Sequence, residues 1–132
     1  MAATAQSLIE KASFSARKIL VVDDNVDAAM SLAQLLELDG HQSQAVYGAM
    51  EALECASRFR PDFVLLDIGL PGMNGYEVAQ RLRQMSDLGP MKLIALTGYG
   101  QSNDKARAFA AGFDAHLAKP VDLIALERML AQ

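Results

Sequence analysis

A chain of 132 residues, 52% apolar and 21% charged, suits one folded domain and leaves little room for a second. Its net charge of −4, with no run of Lys and Arg, argues against direct binding to nucleic acid, and no apolar stretch nears the ~20 residues of a membrane span. One Cys and two His exclude an internal disulfide and a structural zinc site, so a reducing, cytoplasmic setting is the expectation.

Residues 1–16 are rich in Ala and Ser, with Leu8, Ile9 and Phe14 scattered among them. They read as a tail or linker ahead of a domain at 17–132, and they lack the charged-then-apolar order of a signal peptide. From Lys18 short apolar runs alternate with helical patterns. Ile19-Leu20-Val21-Val22 is a continuous apolar run, as in a strand buried on both faces. A helix follows over Asp27 to Asp39, with Ala29, Leu32, Ala33 and Leu36 on one face. Asn25 or Asp27 caps its start and Gly40 ends it. Residues 42–46 form a more polar strand, placed near an edge.

Ala49 to Phe59 is helical with Ala49, Ala52, Leu53 and Ala56 inward, and Pro61 separates it from the strand Phe63-Val64-Leu65-Leu66. The next helix runs from about Gly75 to Arg83 with Val78, Ala79 and Leu82 inward. The strand Leu93-Ile94-Ala95-Leu96 comes after it. Asn103 or Asp104 starts an Ala-rich helix that stops near Gly112. Ala115 to Ala118 makes a short last strand, and Asp122 to Leu130 the last helix. Strand alternating with helix implies an α/β fold: a doubly wound, five-stranded parallel sheet in the order 2-1-3-4-5. His41, just past a helix-ending glycine, is expected to be exposed. Cys55 reads as packing, and the seven Met residues read as core and edge filler.

In open parallel sheets, ligands bind beyond the carboxyl ends of the strands. Strand one ends in Asp23-Asp24, strand three in Asp67, strand four in Thr97 and strand five in Lys119. Any one of these is ordinary as a turn former or a solvated charge. Their joint placement brings three carboxylates, one hydroxyl and one amine to a single crevice. At about 4 Å and an effective dielectric near 20, each ionised carboxylate pair costs ~4 kcal/mol. Lys119 alone does not offset that, whereas a hard cation with oxygen ligands does. Mg²⁺, which takes one or two carboxylates together with water and a phosphate oxygen, fits the set. Asp23 and Asp24 are adjacent and can share the metal, which leaves Asp67 as the candidate nucleophile for an aspartyl phosphate. Mg²⁺ and Lys119 would then neutralise the phosphoryl oxygens, and Thr97 would offer one of them a hydroxyl.

The segments ILVVDDN (19–25), VLLDIGLPGMNGYE (64–77), IALTGYG (94–100) and AHLAKPVD (115–122) resemble the receiver domain of two-component response regulators. The resemblance covers about residues 17–131 and implies a flavodoxin-like (βα)5 fold. It implies Mg²⁺ held by Asp23, Asp24, Asp67 and the backbone carbonyl of Gly69, with Asp67 as phosphoacceptor. Thr97 becomes the switch hydroxyl, Lys119 the phosphate partner, and Lys119-Pro120 a cis peptide. His116 stands where the family often has Tyr or Phe, so its switching role is carried over to a more polar ring. Asn74 replaces a frequent Asp. Gly69 and Tyr99 carry no acid or amide to orient an attacking water, so slow hydrolysis of the phosphoryl group is expected.

The implied donor is a histidine kinase or histidine phosphotransfer protein. The chain would catalyse only its own phosphorylation and dephosphorylation, as a monomer or weak homodimer. A receiver belonging to a hybrid histidine kinase is slightly favoured over a stand-alone regulator. Two rivals on related folds fare worse. A Mg²⁺-dependent aspartyl-phosphate phosphatase would need Asp-x-Asp after strand one and a substrate-covering insertion. A flavin module would need a Ser/Thr/Gly-rich phosphate loop where Asp23 and Asp24 stand.

Overall fold

The computed structural model describes residues 16–85, 88–98 and 105–131, the last without the side chain of Lys105. The strands are β1 (Lys18–Val22), β2 (Gln42–Val46), β3 (Phe63–Asp67), β4 (Lys92–Thr97) and β5 (Ala115–Ala118). They form one parallel sheet in the order 2-1-3-4-5. The helices are α1 (Val26–Leu38), α2 (Ala49–Phe59), α3 (Gly75–Gln84), α4 (Lys105–Ala111) and α5 (Leu123–Leu130). This is the flavodoxin-like (βα)5 arrangement, and none of these helices is long and apolar enough to cross a membrane.

The pleat sorts the strand residues between two cores, because successive side chains point to opposite faces. Leu20, Val22, Val64, Leu66, Leu93 and Ala95 pack with α2, α3 and α4. Ile19, Val21, Phe63, Leu65, Ile94 and Leu96 pack with α1 and α5. Every residue of the central strand β3 is buried, while no residue of β2 is, as befits its place at one edge. Fixing Asp67 at the end of β3 therefore uses the most enclosed strand of the molecule.

The chain ends of the helices follow their local chemistry. Asn25, not Asp27, caps α1, its side chain accepting from the Ala28 amide at 3.1 Å. Asn74 caps α3 by accepting from the Glu77 amide at 3.0 Å, and Asp122 caps α5 through Ile124 at 2.9 Å. Arg60 takes the left-handed conformation, φ 54°, and stops α2 one residue before Pro61. Several boundaries move by a residue: β3 runs on to Asp67, β4 spans Lys92–Thr97, and α5 begins after Asp122. In α2 Cys55 is buried, as packing requires, and Leu53 is only partly buried instead of facing fully inward. Cys55 packs there and donates to Gln44 Oε1 at 3.0 Å, with burial pushing its thiol up. The proposed starts of α4 at Asn103 or Asp104 lie outside the described residues.

His41 corrects the expectation of exposure, since it is only 4% exposed. Gly40, with φ 97°, turns the chain sharply enough to send the imidazole under α5 instead of into solvent.

Candidate functional site at the carboxyl ends of the strands

The β1, β3 and β5 strand ends deliver their polar residues to one crevice. Asp23 and Asp67 are each 4% exposed, whereas Asp24 is open to solvent. The three offer carboxylate oxygens that lie within 4.8 Å of one another. Lys119 Nζ reaches Asp23 Oδ2 and Asp67 Oδ2, both at 2.9 Å. One ammonium thus faces two buried carboxylates, with a third beside them. That imbalance, and a donor set made wholly of oxygens, fits a hard divalent cation.

The chain also holds the carboxylates by backbone donors two residues on. Asp23 Oδ1 accepts from the Asn25 amide at 3.0 Å, and Asp67 Oδ1 accepts from the Gly69 amide at 2.8 Å. Both are Asx-type turns, the local habit of Asp after a strand. Here the turn bond does a second thing: it fixes the carboxylate plane. The Asn25 contribution was not read from the residues beyond its capping role. An Asp-Asp-Asn run after a buried strand was the available signal.

Burial pushes the Asp67 carboxyl above its usual range, and the Asp23 charge adds to that rise. The Lys119 bond and the Gly69 amide oppose it without cancelling it. For Lys119, burial acts to lower the value, yet the hydrogen bonds to Asp23 and Asp67 outweigh it and leave the amine above its ordinary value. The amine stays charged, and Asp67 keeps a raised carboxyl beside it, with the Asp23 charge adding to the rise.

Thr97 ends β4 buried, and its Oγ1 lies 3.5 Å from Leu117 O, a long contact that leaves the hydroxyl loosely held. The Thr97 carbonyl accepts from the Lys119 amide at 2.8 Å, tying β4 to the lysine. His116 on β5 pairs in register with Ala95 on β4 and is half-buried. Gly69 is exposed, the Lys119–Pro120 bond is cis, and Tyr99 lies outside the described residues. Gly75, at the start of α3, approaches the site from below. A Cβ there would stand 2.5 Å from Ile68 Cα and 2.7 Å from the Asp67 carbonyl oxygen. Only glycine lets α3 come so close to the turn that carries Asp67.

The chain is similar to known proteins of two-component signalling. Sporulation initiation phosphotransferase F of Bacillus subtilis is 32% identical over 106 residues, covering 80% of this chain and 84% of that protein. Sensor histidine kinase RcsC of Salmonella typhi is 36% identical over 113 residues, 86% of this chain but only 12% of that much longer protein. The structure of a CheY-like response regulator receiver domain from Methylobacillus flagellatus superposes with a TM-score of 0.79 at 32% identity, covering 88% of this chain and 97% of that one. The family description "Response regulator receiver domain" matches residues 19–131. The chain belongs to the receiver-domain family of two-component signalling.

Proposed function

We propose that the chain accepts a phosphoryl group on Asp67 from a phosphohistidine of a histidine kinase or histidine phosphotransfer protein. The observation that carries this is the position of Asp67: buried at the end of the most enclosed strand, with Oδ1 on the Gly69 amide and Oδ2 on Lys119. A carboxylate oxygen attacks phosphorus as the phosphorus–nitrogen bond of the donor breaks, and the imidazole leaves with its electron pair. The Gly69 amide orients the attacking carboxylate. Lys119 holds a positive charge against the phosphoryl oxygens as they approach.

Asp23, Asp24 and Asp67, with the carbonyl of Gly69, would hold Mg²⁺, which supplies the remaining neutralisation of phosphoryl charge. Thr97, loosely held at present, then turns its hydroxyl to a phosphoryl oxygen. Its movement opens space for His116, and the face made by α4, β5 and α5 changes shape. A partner that binds this altered face better shifts the population by no more than its differential affinity. We place the domain at 17–132, with 1–16 as a tail or linker. Relatives of both kinds, a receiver-sized protein and a long sensor kinase, share the sequence, and we favour attachment to a kinase.

Intact-mass measurement after incubation with acetyl phosphate and Mg²⁺ tests the reading. Wild type should gain one phosphoryl group and Asp67→Asn none. A label of equal size on Asp67→Asn would overturn it. Because neither Gly69 nor Tyr99 bears an acid or amide, the label should persist for minutes or longer, and decay in seconds with Mg²⁺ present would refute that part.

A further inference from the structure

At the opposite end of the sheet from the carboxylates lies a second buried polar group. Nδ1 of His41 accepts the backbone N–H of Arg17 at 3.0 Å. Nε2 faces Glu127 Oε2 on α5 at 3.5 Å, longer than a good hydrogen bond but close for a charge pair. The His41 amide donates to Leu36 O at 3.1 Å, so the ring is anchored from α1. Arg17 is the residue through which residues 1–16 join β1. Its Nε donates to Leu130 O at 3.1 Å and its guanidinium lies 5.7 Å from the centre of the Phe63 ring.

Charged residues stand on each element around the imidazole: Arg17 at the entry to β1, Glu127 on α5, and Asp39 at the end of α1, bonded to Glu127. Burial, and then a hydrogen bond with Asp39, raise the Glu127 carboxyl above its usual range, against the pull of His41. A ring nitrogen that accepts an amide N–H has its lone pair in use, so the neutral ring carries its proton on Nε2, toward Glu127. An imidazolium carries a proton on both nitrogens, and its Nδ1–H would meet the Arg17 N–H donor against donor.

We propose that His41 is a proton-operated clasp on the entry of the chain into β1: neutral, it holds the Arg17 amide, and protonated in the field of Glu127, it releases it. Imidazole is the side chain whose ordinary change of charge falls between about pH 5 and 8. Glu127 Oε2, 3.5 Å from Nε2, is the anion that an imidazolium would face once Nδ1 turns from acceptor to donor. Release frees the Arg17 amide at the entry to β1, far from the phosphoacceptor site and independent of its chemistry.

Nitrogen-15 NMR of the full chain between pH 8 and 5 tests this through the His41 ring and the Arg17 amide. At pH 8 the ring should carry its proton on Nε2 alone. On acidification both ring nitrogens become protonated, and the Arg17 amide shifts with the same midpoint. Its protection against exchange should fall about five- to tenfold, the worth of one hydrogen bond. In Glu127→Gln the shared midpoint moves to lower pH. In His41→Asn, whose Oδ1 replaces Nδ1 as acceptor without titrating, the Arg17 amide stays still across the range. A neutral ring protonated on Nδ1, a ring that stays neutral down to pH 5, or an Arg17 amide that ignores the ring overturns the proposal. Should His41→Asn fail to fold, the wild-type titration decides by those same three outcomes.

Discussion

The two ends of the sheet bury charge in opposite ways. At the carboxyl ends, Asp23, Asp24 and Asp67 crowd around one ammonium, and the crevice carries a surplus of negative charge. At the amino ends, the His41 ring lies between the Arg17 amide and Glu127, and Asp39 hydrogen-bonds that same glutamate. The first arrangement is costly by itself and is relieved by something from outside; the second serves the fold. Removing a buried polar group should therefore have opposite signs at the two ends, and that contrast can be tested.

The largest effect is expected at the amino end. His41→Ala deletes a buried ring and orphans the Arg17 amide, and chemical denaturation should show a loss of about 2–4 kcal/mol. Gly75→Ala comes next, because the new methyl meets backbone at Ile68 and Asp67 on rigid elements. A loss of about 1–3 kcal/mol is expected, together with slower labelling by acetyl phosphate, and a neutral outcome would mean that α3 can withdraw freely.

At the crowded end, Lys119→Met removes the one ammonium that competes with a metal for the carboxylates. Calorimetric titration should show Mg²⁺ binding about tenfold tighter, a change near 1.4 kcal/mol, even though phosphorylation slows. Weaker Mg²⁺ binding would contradict the assignment of the lysine. Asp67→Asn should stabilise the metal-free protein by about 1 kcal/mol by removing a buried like charge, the reverse of His41→Ala.

The pH dependence sharpens the same point. The folded-state value of Asp67 lies above its unfolded value, so the folded protein binds the proton more tightly. The metal-free wild type should therefore gain stability relative to Asp67→Asn as pH falls through the raised folded value, with no further gain below the ordinary carboxylate range. A difference that is flat with pH would show that the carboxylate is not strained. The smallest change is Asn25→Ala, which loses the α1 cap for about 1 kcal/mol in a thermal or urea melt.

Much of this was legible in the chain itself. Buried parallel strands read as continuous apolar runs, and helices declare a face by spacings of three and four, because both patterns are short-range. Since such sheets place the ends of their strands at one edge, Asp23, Asp67, Thr97 and Lys119 were assigned to a common crevice before any contact was known. The structure brings Asp23, Asp67 and Lys119 there, with Lys119 spanning the two carboxylates. What packing alone decided is where helical angle and burial depend on distant neighbours. In α2 Cys55 is buried and bonds Gln44 on β2, while Leu53 packs only partly buried against the same core.

His41 is the clearest case. Nothing beside it in the chain marks it as buried, and a residue after a helix-ending glycine is ordinarily solvated. Its partners stand at positions 17 and 127, more than twenty and eighty residues away, and meet it only once α1 and α5 cover the same face of the sheet. Local patterning specifies which elements form and which ends carry polar groups. The pairing of groups far apart along the chain is a property of the closed core, and no local signal encodes it.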